Sequence, residues 1–164
     1  MFTIPDISNL ADDERYAIIV GQVRSLIDGE RNAIANLANT ASLLYHTLGN
    51  INWVGFYLFD GSELVLGPFN GKPACIRIAM GRGVCGAAAS ERRTIVVPDV
   101  HAFPGHIACD AASRSELVVP LLHEDRLLGV LDIDSPHPDR FGAADVRGCE
   151  AIAALLVDGC DWRL

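Results

Sequence analysis

The apolar period of this chain first changes between Gly49-Asn50 and Trp53, from helical to strand-like, and the change constrains what it can build. Upstream, Tyr16, Ile19, Val20, Val23, Leu26 and Ile27 recur at helical spacing across Leu10 to Ile27. Asp28-Gly29 interrupts, and Ile34, Leu37, Ala38, Ala41, Leu44, Tyr45 and Leu48 form a second stripe. Gly49-Asn50 closes it as a C-terminal glycine signal. Downstream, residues 51–59 are aromatic and β-branched, Asp60-Gly61 is a hairpin turn signal, and residues 63–66 read as the return strand. Cys75 to Ala79 predicts a third strand, and Gly81-Arg82-Gly83 a turn into a short helix, Val84 to Glu91. Thr94 to Val97 predicts a short strand, and residues 98–114 a long loop without periodicity. Leu117 to Leu122 and Leu127 to Ile133 predict a hairpin around His123-Glu124-Asp125-Arg126, and Ala144 to Val157 a last helix. Two hairpins separated by a helix point to an α+β fold with a mostly antiparallel sheet. The N- and C-terminal helices need one face of that sheet. The excursion over residues 69–114 is left for the other, with a pocket beneath it.

The 164 residues match one domain. Residues 1–9 read as a loose arm broken by Pro5. With 13 basic and 21 acidic residues, the net charge of −8 lacks the footprint of a phosphate-backbone binder. Nucleic acids and anionic membranes are poor partners for such a chain. No apolar run approaches the ~20 residues of a membrane span, and the N-terminus has no basic region leading into an apolar one. The expected address is the cytoplasm, where the five cysteines should rest as thiols. Their number is odd and no CxxC occurs, which speaks against a disulfide scaffold.

The cysteines divide by context. Cys149 lies on the apolar stripe of the last helix and reads as core, and Cys160 lies in the tail. Cys75, Cys85 and Cys109 all fall in the excursion, as buried small hydrophobes or as chemistry. Cys85 follows Arg82 where a helix should start, and a helix N-terminus favours thiolate. Cys109 lies near His101, His106 and Asp110. The local residues therefore favour Cys85 slightly as the activated thiol. Asp132 and Asp134 share one strand face by the period of two, flanked by apolar Val130, Leu131 and Ile133. With Glu116 they read either as solvent-facing charge or as a pocket for an ammonium group or a shared proton. Trp53 and Tyr57 also share a strand face, as core or as a wall for a small apolar group. His101, His106 and Cys109 match no zinc spacing, and MGRGVCG lacks the phosphate-loop lysine, so neither a metal nor a nucleotide is expected.

The strings LANTASLLYHTLGNINWVGFYL, LVLGPFNGKPAC, GRGVCG, DVHAFPGHIACDAASRSELVVPL and LGVLDIDSP resemble the free methionine-(R)-sulfoxide reductases, single-domain proteins of the GAF fold. The resemblance covers residues 26 to 157, and it divides the chain into an N-terminal arm and helix over 1–25 and a GAF domain over 26–160. It implies thiol-dependent reduction of the free amino acid L-methionine-(R)-sulfoxide to L-methionine. It further implies Cys109 as the attacking thiolate, Cys75 as the resolving thiol and Cys85 as an auxiliary partner. Glu116, Asp132, Asp134, Trp53 and Tyr57 would bind substrate. A Cys109 sulfenic acid would pass to an intramolecular disulfide recycled by thioredoxin. No cofactor is implied, and the chain would be a homodimer. The competing expectation is a non-enzymatic GAF sensor of a small ligand.

Overall fold

Helix α1 (Asp12–Ile27) begins at a run of acids, Asp12, Asp13 and Glu14, which suit the free N–H groups of a helix start. Glu14 reaches back to accept from the Ala11 N–H at 3.4 Å. Helix α2 (Ala33–Thr47) is capped by Asn32, whose side-chain oxygen accepts from the Ala35 N–H at 3.0 Å. Its end differs in detail from the expectation: Leu48 is the C-cap in extended backbone, and the left-handed residue is Asn50, with φ 60°, rather than Gly49.

The remaining elements are β1 (Trp53–Phe59), β2 (Glu63–Asn70), β3 (Arg77–Ala79), α3 (Gly83–Glu91), β4 (Ile95–Val97), β5 (Ser115–His123), β6 (Arg126–Ser135) and α4 (Ala143–Gly159). They are taken from a computed structural model, which describes residues 3–4, 6–7, 9–105 and 111–162. His106 and Cys109 lie outside the described residues. The six strands form one sheet in the order β3-β2-β1-β6-β5-β4, and every neighbouring pair is antiparallel. The fold is α+β, as the change of period predicts.

Strand β2 runs four residues beyond the predicted end at Leu66, through Gly67 and Pro68, two residue types that are rare in a strand interior. The pairing explains it. Gly55 faces Phe69 and Tyr57 faces Leu66, so β2 carries one extra residue opposite Phe56. Such a bulge is where a proline's missing donor is tolerated within a sheet. Strand β3 is shorter than predicted and leaves Cys75 ahead of it, on the link from β2. Among its described residues the predicted long loop contains one 3-10 turn, at Val100–Ala102, and its two ends are pinned. Val100 donates to the Arg114 carbonyl at 2.8 Å, and Arg114 donates to the Ser135 carbonyl at 2.7 Å.

One face of the sheet carries α2 and α4, with α1 packed across both helices. Val54, Phe56, Leu117, Val119, Leu131 and Ile133 point into that layer and meet Ile19, Val23, Leu37, Leu44, Ile152 and Leu156. Residues 1–25 thus contribute α1 to the main core, through buried Tyr16, Ile19 and Val23. The opposite face carries α3 and a second apolar cluster around Tyr57, Leu64, Cys85, Ala88, Val118 and Val130.

The helical layer closes over a buried polar latch. Asp145 accepts from the Tyr16 hydroxyl at 2.8 Å, from the Gly142 N–H at 2.8 Å and from Arg140 at 3.0 Å. Arg140 also donates to the Gly49 carbonyl at 3.0 Å, so α1, α4 and the end of α2 share one network. The Tyr16 ring lies on Gly148, where an added Cβ would sit 2.0 Å from a ring carbon. The latch holds the ring in place, so it cannot swing aside. Gly148→Ala is expected to cost about 1–3 kcal/mol by overpacking. Gly21→Ala, in exposed α1 with open space around it, should instead stabilise by about 0.5–1 kcal/mol through helix propensity. Urea unfolding of the two variants checks the opposite signs.

Candidate active site

The second face of the sheet becomes a pocket where β1, β5 and β6 run side by side. Asp134 faces Trp53 on one side and Glu116 on the other, and Asp132 lies between Gly55 and Val118. The period of two then puts Trp53, Gly55, Tyr57, Asp132, Asp134 and Glu116 on one face. Helix α3 and the β2–β3 link close over them, and the lining adds Lys72, Ala74, Arg82, Val84, Cys85 and Ser113. The cleft encloses about 550 Å³ of non-protein space, part of it open to solvent.

One wall is aromatic. Trp53 stacks on Phe69 with centroids 5.4 Å apart and on Tyr57 at 6.0 Å. Gly55 makes this possible, since a Cβ there would lie 2.3 Å from the Phe69 Cβ and 2.7 Å from the Trp53 ring. Both pocket aromatics also hold the β2–β3 link. Trp53 Nε1 donates to the Lys72 carbonyl at 3.0 Å, and the Tyr57 hydroxyl donates to the Cys75 carbonyl at 3.1 Å.

The facing wall is acidic and dry. Glu116 and Asp132 are each 6% exposed, and solvation lost at that depth penalises a charged carboxylate. Burial and the neighbouring Asp132 and Asp134 charges push the Glu116 carboxyl well above the usual range. Burial likewise raises Asp132 to about 6, against hydrogen bonds from Cys85 and Glu116 that lower it. A hydrogen bond between two carboxyl groups requires a proton on one of them, and burial favours holding it there. One oxygen of Asp132, Oδ1, is buried with no hydrogen-bond partner among the described residues. An orphan acceptor of this kind is costly in a folded protein and marks a place for a donor from outside.

Cys85 occupies the first turn of α3, as its sequence context predicts. Activation does not follow. Its thiol is 4% exposed and donates to Glu116 Oε1 at 3.9 Å, and burial with the Asp132 and Glu116 charges raises its pKa well above the ordinary thiol value. The helix dipole and Arg82 are outweighed by desolvation and two adjacent acids. Cys75 is disulfide-bonded, whereas Cys85, Cys149 and Cys160 are free thiols. The expectation that all five rest as thiols therefore fails at Cys75. Cys149 is core, with its thiol pushed up to about 12 by burial. Cys160 is no loose tail residue: it is buried, accepts from Asn36 at 3.4 Å, and sits beside the bridge between Asn32 and Asp161.

The structure thus brings together Trp53, Tyr57, Glu116, Asp132, Asp134 and Cys85, with Cys75 on the adjoining link. Sequence reasoning missed Ser113 and Lys72. Ser113 is positioned by Asn52, which donates to its hydroxyl at 3.1 Å, and no motif in the sequence signals that contact.

A GAF domain model matches residues 13–157. The free methionine-R-sulfoxide reductase of Escherichia coli (strain K12) is 50% identical over 143 residues, covering 87% of each chain. The chain belongs to the free methionine-(R)-sulfoxide reductase family. Among solved structures, fRMsr of Staphylococcus aureus in complex with substrate is 52% identical with a TM-score of 0.85, over 89% of this chain and 95% of that one. The free methionine-R-sulfoxide reductase of Neisseria meningitidis in complex with its substrate is 44% identical with a TM-score of 0.87, over 97% and 93%. No helix among the described residues is long and apolar enough to cross a membrane.

The buried carboxyls make a pH prediction. The Asp132 pKa is raised from 3.8 to about 6 in the folded chain. Its contribution to stability is therefore fully present below the unfolded value and lost as pH rises through the folded one. The unfolding free energy of the wild type, relative to Asp132→Asn, should fall by roughly 1–3 kcal/mol between about pH 4 and about pH 7. Denaturant titrations of both proteins across that range check it, and a rise would reverse the assignment.

Proposed function

We propose that this chain reduces free L-methionine-(R)-sulfoxide to L-methionine by a thiol mechanism, in the cytoplasm, as a homodimer. The observation that carries the reading is the pocket itself: an aromatic wall facing proton-holding carboxyls, roofed by the link that bears disulfide-bonded Cys75. A free amino-acid sulfoxide has the matching parts. Its S-methyl group suits Trp53 and Tyr57, its ammonium group suits the acids, and its sulfoxide oxygen needs a proton.

In this mechanism the Cys109 thiolate attacks the sulfoxide sulfur while a neutral carboxyl among Glu116, Asp132 and Asp134 protonates the oxygen. The S–O bond breaks, methionine leaves, and Cys109 carries the oxygen as sulfenic acid. The Cys75 thiol then displaces that oxygen as water and forms the Cys75–Cys109 disulfide. The dithiol of thioredoxin reduces it by exchange and is itself oxidised. The disulfide at Cys75 supports this cycle, and the raised pKa of Cys85 favours Cys109 as the nucleophile and an auxiliary role for Cys85.

The test is NADPH consumption with thioredoxin and thioredoxin reductase, offered the free R epimer, the free S epimer and a peptide-bound sulfoxide. Consumption is expected with the free R epimer alone. Cys109→Ser should abolish it with the fold intact, and Glu116→Gln should lower kcat/KM by about 10²-fold or more. A folded, reduced protein that consumes nothing with any substrate would point to a small-ligand GAF sensor.

A further inference from the structure

We propose that Cys85, Glu116 and Asp132 form a binding site for one thiophilic divalent cation of the Zn²⁺ class, whose occupancy excludes the sulfoxide from the pocket. The cation site stands on geometry alone. Its competition with substrate rests on the proposed function.

Three ligand atoms, one from each of these side chains, lie within 4.8 Å of one another, and all three residues are buried. They come from three rigid elements: Cys85 from α3, Glu116 from β5 and Asp132 from β6. On neighbouring strands, Glu116 and Asp132 are diagonal partners on one face. The Cys85 Sγ to Glu116 Oε1 distance is 3.9 Å. A tetrahedral ion with Zn–S of about 2.3 Å and Zn–O of about 2.0 Å puts sulfur and oxygen about 3.5 Å apart. That edge of the cage needs to contract by a few tenths of an ångström, and no edge exceeds 4.8 Å.

Independently of the cluster's shape, Asp132 Oδ1 lines the pocket as a buried acceptor without a partner among the described residues. A cation would complete it. The two cationic side chains of the lining, Lys72 and Arg82, are exposed at the rim, whereas the ligand set lies on the floor. Sulfur with two carboxylate oxygens selects a borderline metal over magnesium or calcium, which take oxygen alone. Three protein ligands leave a fourth tetrahedral position for an outside ligand, and all three residues line the cavity where the substrate would lie. Binding replaces protons: the Cys85 thiol proton and the carboxyl proton leave to solvent as the ion enters.

Equilibrium dialysis with Zn²⁺ tests the site on the chain with its Cys75 disulfide intact, so that this thiol cannot contribute. Co²⁺ absorption provides a second readout, because a thiolate ligand adds charge transfer in the near ultraviolet. One ion per chain and a thiolate–cobalt band are expected. Affinity should weaken by about tenfold or more in both Cys85→Ser and Asp132→Asn, and the band should vanish in the first. Absence of the band in the wild type, or affinities within about twofold in both variants, would overturn the site. If Cys85→Ser does not fold by circular dichroism, Asp132→Asn and the wild-type band decide alone. Binding that does not displace the free R sulfoxide in competition dialysis would overturn the exclusion. None of these readouts uses turnover, so failure of the reductase assay leaves the cation site standing, and the reverse also holds.

Discussion

The pairing of β6 between β1 and β5 is the constraint on which the rest of the molecule depends. It sets Asp134 beside Trp53 and Glu116, and Asp132 beside Gly55. Because side chains alternate, a slip of one residue would send both aspartates into the helical layer and bring Leu131 and Ile133 out. That layer is what prevents the slip. Val54, Phe56, Leu117, Leu131 and Ile133 are essentially fully buried against α2 and α4. The chemistry on one face is thus held in register by apolar burial on the other.

The site face is expensive for the fold. Two carboxyls at 6% exposure and a buried thiol beside them lower stability whenever they ionise. Burial favours their protonated forms, and the helical layer supplies the stability that the pocket gives up. The Tyr16–Asp145–Arg140 latch serves a different end. Its acid accepts three donors and joins α1 to α4, so its oxygens are matched where Oδ1 of Asp132 is not. The contrast between a satisfied buried acid and an unsatisfied one separates scaffold from site.

Most of the fold was legible because period and turn chemistry agree with tertiary packing. The helices and the two hairpins fall within a few residues of where spacing, Asp60-Gly61 and Gly49-Asn50 place them. The misses have physical causes. The expected end of the second strand at Leu66 falls beside a bulge at Gly67-Pro68, which only the facing strand reveals. Aspartates two apart and aromatics four apart disclosed shared faces, yet nothing local disclosed that the two faces are one. The helix start at Cys85 is legible locally but its electrostatics are not, because the acids that raise its pKa arrive from β5 and β6. Cys160, in a polar tail, is buried by a bridge between Asn32 and Asp161 that no local pattern encodes.

The aromatic wall grips the β2–β3 link through the carbonyls of Lys72 and Cys75, which are main-chain groups that every substitution preserves. These two bonds do not depend on which side chains stand at Pro73 and Ala74. A substitution at Pro73 or Ala74 would change the bulk that lines the cleft, and so the ligand it admits, while the tyrosine still holds the backbone of Cys75. Selectivity and redox position are separately adjustable within one short loop.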